Sequence, residues 1–130
     1  MIRAALYAWN RGALVVADDA TMPPTIVEVL PFDDAGEVRF HDLARVLATH
    51  NVDRLLCVDA PVFPELARAL AGRLRGAAET AGLEVVVVDD GRRKGQRGAA
   101  AKLCPRGSAP EAVRDALAMV LANMAAPVAP

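Results

Sequence analysis

Two short apolar runs decide the fold: Arg54-Leu55-Leu56-Cys57-Val58 and Leu83-Glu84-Val85-Val86-Val87-Val88. Between them Leu66, Ala67, Leu70, Leu74 and Ala81 recur at helical spacing, with Glu65, Arg68, Arg75 and Glu79 off that stripe. Pro64 suits the first turn of this helix and Gly82 its end. Strand, helix and strand in so short a span form a crossover, and a crossover joins parallel strands. Four consecutive valines without polar alternation predict a strand covered on both faces.

Toward the N-terminus, Ile2 to Trp9 and Ala13 to Ala17 flank Asn10-Arg11-Gly12, which is a hairpin signal. Thr25 to Phe32 reads as a third strand, closed by Asp33-Asp34-Ala35-Gly36. The period then changes. Leu43, Val46, Leu47 and His50 mark a helix with Asp42 in its first turn and Asn51 as its stop. Toward the C-terminus, Ser108-Ala109-Pro110-Glu111 predicts a capping box, followed by a helix with the apolar stripe Val113, Leu117, Val120, Leu121 and Met124. The predicted order is β-β-β-α-β-α-β-α, an α/β domain with a mixed sheet and helices on both faces. It spans residues 1–124, with residues 125–130 as a flexible tail.

A chain of 130 residues, 54% of them hydrophobic, suffices for one ordinary core. The net charge of −1 hides an asymmetry: residues 91–130 carry seven basic and two acidic side chains, whereas residues 1–90 are acidic on balance. Cys57, inside an apolar run, reads as a small core residue, and Cys104 is too far along the chain to share a metal-ligand spacing with it. Reduced thiols imply a cytoplasmic protein. No signal-peptide layout opens the chain, and the uncharged stretch from Ala116 to Pro130 is too short to span a bilayer, so no membrane association is expected.

The chemistry concentrates after the valine run. Arg92, Arg93, Lys94, Arg97, Lys102 and Arg106 fall within fifteen residues that hold no acid, and Gly91, Gly95, Gly98 and Gly107 predict a flexible loop there. Such a loop suits a polyanion. Acids border it. Asp59 follows the first parallel strand, Asp89 and Asp90 follow the second, and Asp115 lies one turn after Glu111 in the last helix. Ligands of open α/β sheets gather beyond the carboxyl ends of the strands. Carboxylates converging at that edge are ligands for Mg²⁺ or Mn²⁺, and paired ions of this kind cleave phosphodiesters. The plainer reading of the same residues is turn chemistry, at Asp59-Ala60-Pro61 and at Asp89-Asp90-Gly91. Tyr7 and Trp9 read as core or sheet surface rather than as a base-stacking platform.

In element order the chain resembles the ribonuclease-H-like domains, above all the Holliday-junction resolvase and pre-16S rRNA nuclease families, over roughly Ala4 to Ala122. The segment Arg114-Asp115-Ala116-Leu117-Ala118-Met119-Val120-Leu121-Ala122 is similar to the family's final helix. Val58-Asp59-Ala60-Pro61 falls where its second catalytic acid stands, and Val88-Asp89-Asp90 also matches in position. The resemblance implies Asp59, Asp90 and Asp115 as catalytic acids, with Asp59 and Asp115 on the metal. The family's first strand bears an essential, metal-bridging Asp, but this chain has no acid before Asp18; Tyr7, Ala8, Trp9 or Asn10 stands in its place. Asp18 and Asp19, at the far end of the second strand, are the nearest substitutes.

Three functional expectations follow. The first is a nucleic-acid-binding relative with a degenerate catalytic site, holding DNA or structured RNA through Arg92–Arg106. The second is an active Mg-dependent, structure-specific nuclease. The third is a non-catalytic homodimer that associates through an apolar sheet edge or the last helix.

Overall fold

The computed structural model describes residues 1–9, 11–35, 40–58, 63–104 and 110–125. Five strands are present: β1 (Ile2–Ala8), β2 (Gly12–Asp18), β3 (Thr25–Phe32), β4 (Arg54–Val58) and β5 (Glu84–Val88). They form one sheet in the order β3-β2-β1-β4-β5. The first three are antiparallel, with Ile2 opposite Asp18 and Ala8 opposite Gly12. The β1–β4 and β4–β5 pairs are parallel, as the crossover requires. Asn10, within the expected hairpin turn, lies outside the described residues.

Strand alternation divides the core into two layers. Ala4, Leu6, Leu14, Val16, Leu55 and Cys57 face α1 (Phe40–Thr49) and α2 (Glu65–Thr80). Ala5, Val15, Ala17, Leu56 and Val58 face α5 (Glu111–Met124). Burial pushes the Cys57 thiol up to about 12, as suits an inert core cysteine. Asn51 at φ 50° and Gly82 at φ 85° end α1 and α2 in the left-handed conformation that asparagine and glycine tolerate best.

Four local expectations are corrected. The segment after β5 is no loop: it folds into α3 (Asp90–Gly95) and α4 (Arg97–Leu103), which pack on α5. Asp89 starts α3 as its N-cap, accepting from the backbone N–H of Arg92 at 3.1 Å. This replaces the turn expected at Asp89-Asp90-Gly91. The valine run is an edge strand and is not covered on both faces, since Val87 is 48% exposed. Finally, Pro64 and Pro110 occupy N-cap positions with ψ near 150°, one residue before the helical turn expected for them. α5 begins at Glu111, whose side chain pairs with Arg114 at 3.3 Å. Ser108, like residues 126–130 of the expected tail, lies outside the described residues.

Nine of the fourteen α5 residues are buried, and Ala116 through Val120 are fully enclosed by the sheet on one side and by α3 and α4 on another. The sheet edges do expose valines: Val27 and Val29 on β3, and Val87 on β5. Among the described residues no helix is long and apolar enough to cross a membrane.

Candidate functional site

Because β1, β4 and β5 run parallel, their carboxyl ends meet at one rim of the sheet. Trp9 leaves β1 there, Asp89 leaves β5, and the first turns of α5 lie alongside. Asp59, which follows β4, and Arg106 fall outside the described residues. Asp18 and Asp19 are remote: Asp18 pairs with Ile2 at the opposite end of β1, and Asp19 is engaged by Arg3 and the Met1 ammonium. Neither takes the place of an acid on β1.

The sequence-predicted acids that are described, Asp90 and Asp115, are joined by one guanidinium. Arg93 donates from Nε to Asp90 at 2.7 Å and from Nη1 to Asp115 at 2.5 Å. Its carbon lies 4.9 Å from the centre of the Tyr7 ring, so an aromatic face covers the cation. Arg97 donates to the same Asp115 oxygen at 3.1 Å, and Lys94 lies 3.4 Å from Asp90. Helical spacing explains the pattern: Arg93 and Lys94 follow Asp90 at i+3 and i+4 on α3. Asp115, one turn inside α5, reaches both short helices.

The electrostatics follow from burial. Arg93 is 3% exposed and Asp115 6%. Burial would weaken the Arg93 charge, but Asp90, Tyr7 and Asp115 outweigh that and hold it protonated. The hydrogen bond from Arg93 holds the Asp90 carboxyl below the usual carboxylate range. Burial, reinforced by the Asp115 charge, pushes the Tyr7 phenol above its ordinary value.

One Asp115 oxygen, Oδ1, accepts from two guanidinia, and Asp59, the other acid expected on a metal, lies outside the described residues. Among the described residues no three His, Cys, Asp or Glu side chains come together as a metal site. Arginine charge balances the acids instead.

The predicted nucleic-acid-binding residues separate into two kinds. Arg92, Lys94, Arg97 and Lys102 are exposed on α3 and α4. Arg93 is buried and engaged by Asp90 and Asp115.

Sequence reasoning missed the aromatic wall. A cleft of about 760 Å³ opens at the end of β1, lined by Tyr7, Trp9, Pro31 and Phe32 together with Arg97 and Asp115. Gly12 is needed at its base, since a Cβ there would lie 2.4 Å from the Phe32 ring and from the Tyr7 carbonyl. Trp9 is held edge-to-face against Phe63, with ring centres 5.0 Å apart. The available signal was position: Trp9 is the last residue before the hairpin turn, at the rim where ligands collect.

No family model matches the chain, and no curated protein does. Solved structures do resemble it. Thermus thermophilus RuvC in complex with a Holliday junction substrate superposes with a TM-score of 0.75 at 14% identity, covering 95% of this chain and 92% of that one. A second Thermus thermophilus RuvC structure gives 0.73 at 13% identity, with 95% and 93% covered. The fowlpox virus Holliday junction resolvase gives 0.65 at 10% identity, with 95% and 97% covered. The chain thus has the ribonuclease-H-like α/β fold of the RuvC-type resolvases, a mixed five-stranded sheet with helices on both faces.

Proposed function

We propose that this chain is a nucleic-acid-binding module derived from a resolvase-type nuclease, one that grips a polynucleotide without cutting it. The observation that carries this reading is the Arg93–Asp115 contact. It makes the buried acid of the rim a counter-ion for arginine. The same contact fastens α3 and α4 beside the carboxyl edge, and their outer surfaces carry Arg92, Lys94, Arg97 and Lys102. A polyanion is the partner such a surface suits. The fold likeness supports the same partner class, since one solved neighbour holds a Holliday junction substrate.

The test is binding of a four-way DNA junction, a plain duplex and a structured RNA, followed by anisotropy across a salt series with and without Mn²⁺. The expected result is affinity that falls steeply with salt, with every strand left intact. Cleavage that requires Mn²⁺ and disappears in Asp115→Asn would overturn the non-cutting reading in favour of an active nuclease. No binding, or binding indifferent to salt, would remove nucleic acid altogether and leave a protein-interaction domain.

A further inference from the structure

We infer that the cleft at the end of β1 takes a single unpaired nucleotide of a polynucleotide strand, its base against Trp9 and its phosphate toward Arg97 and Arg114. This rests on the nucleic-acid reading above and adds what the rim recognises.

The base side is carried by preorganised aromatics. Trp9 lines the cleft and remains 37% exposed, although Phe63 fixes its ring with interplanar angle 86°. Phe63 is itself buried and braced edge-on by Tyr7 at 5.8 Å. An indole fixed this way loses little freedom when a second ring stacks on it, and stacking needs no particular base. The volume of about 760 Å³ lies within the range of small-molecule pockets, roughly 300–1,000 Å³. Asp33 and Glu111 at the margin offer acceptors to the exocyclic amines of a base.

The phosphate side is carried by an arginine in want of a partner. A neighbouring hollow of about 440 Å³ shares Arg97, Glu111 and Asp115 with the cleft and adds Arg114. The Arg114 side chain is 13% exposed. It touches Glu111 through Nη2, whereas its buried Nη1 has no hydrogen-bond partner among the described residues. A buried N–H without an acceptor is unfavourable, and a phosphate oxygen supplies one. A free inorganic anion is the poorer match, because it would leave the aromatic wall empty. An intact duplex is also a poorer match, because its bases are stacked on one another and offer no free face.

Trp9 is the chain's one tryptophan, so its fluorescence reports this cleft alone. The probes are a DNA duplex with a one-nucleotide bulge, the same duplex with an abasic bulge, and the fully paired duplex. The bulge is expected to quench Trp9 and to bind on the order of tenfold more tightly than the paired duplex. The abasic bulge should lose both effects. Arg114→Gln keeps the fluorophore and should weaken bulge binding, while Trp9→Phe, which keeps a ring, should retain most of the preference that Trp9→Ala loses. Equal affinity for bulged and paired duplex, with unchanged Trp9 emission, would overturn this inference and leave the nucleic-acid reading standing. Failure of all three probes to bind would take both down.

Discussion

Arg93 donates to Asp115 across 2.5 Å with both side chains more than nine-tenths buried, one from α3 and the other from α5. Removing one partner strands the other's charge in the interior, at a cost of about 3–5 kcal/mol. Asp115→Ala and Arg93→Ala should each destabilise by about that much in urea unfolding. The double replacement Arg93→Met with Asp115→Leu removes both charges, so it should be far milder than the sum of the single losses. If the single replacements cost under about 1 kcal/mol, the pair is not what anchors α3.

The guanidinium pairing of Asp115 also forecasts indifference to divalent ions. A ligand that binds only the folded protein stabilises it in proportion to the logarithm of its concentration over Kd, about 2.7 kcal/mol at a hundredfold excess. Mg²⁺ and Mn²⁺ at millimolar concentration should therefore leave the unfolding temperature where it stands, and a chelator should not lower it. A rise with Mn²⁺ that vanishes in Asp115→Asn would show a metal bound at this rim.

Acid should release α3. The folded protein holds the Asp90 carboxyl below its ordinary value because Arg93 donates to it. In the window between the folded and unfolded values the unfolded chain binds more protons, so stability rises with pH there. The contribution is complete above the unfolded value, about 4, and is lost as pH falls through the folded one. Asp90→Asn should consequently be less stable than the parent at about pH 6, with the gap narrowing on titration toward about pH 2. The Asp19 carboxyl, also held low by the Met1 ammonium and Arg3, falls off in the same range in both proteins and cancels from the difference. A gap of the same size at both pH values would exclude the Asp90 ion pair as its source.

The sheet was legible because its signals are local. The hairpin turn, the crossover between Arg54 and Val88, and the stops at Asn51 and Gly82 each follow from residues close together in the chain. Burial was harder to read: the valine run looks the same whether one side of the strand or both are paired, and strand order is a long-range property. The acids at Asp90 and Asp115 were found as a constellation, but the identity of their counter-ion was not. Which of six neighbouring cations turns inward depends on Asp89 capping a helix that glycine content argued against. That cap sets the phase of α3 and points Arg93, rather than Arg92 or Lys94, at α5. Trp9 was passed over for a similar reason: a strand-end aromatic becomes a cleft wall only once Phe63, fifty-four residues later, comes to lie beside it.

The exposed cations should separate from Arg93 in binding experiments. Each phosphate contact releases counter-ions, so the slope of log affinity against log salt counts contacts at about 0.9 each on duplex DNA. Arg92→Ala, Lys94→Ala and Lys102→Ala leave the buried pairs intact, and each that touches phosphate should reduce the slope by about 1. Their effects should be similar on bulged and paired duplexes, because backbone contacts carry no sequence or base information. Arg93→Gln should behave differently. With its side chain 4% exposed it reaches no phosphate, so its loss should appear first in urea unfolding and in weaker binding of every probe as α3 and α4 come loose. Measuring stability and salt slope for all four variants decides the matter. If Arg93→Gln lowers the slope by one while leaving stability unchanged, the buried clamp is a surface contact after all, and the non-cutting reading loses its support.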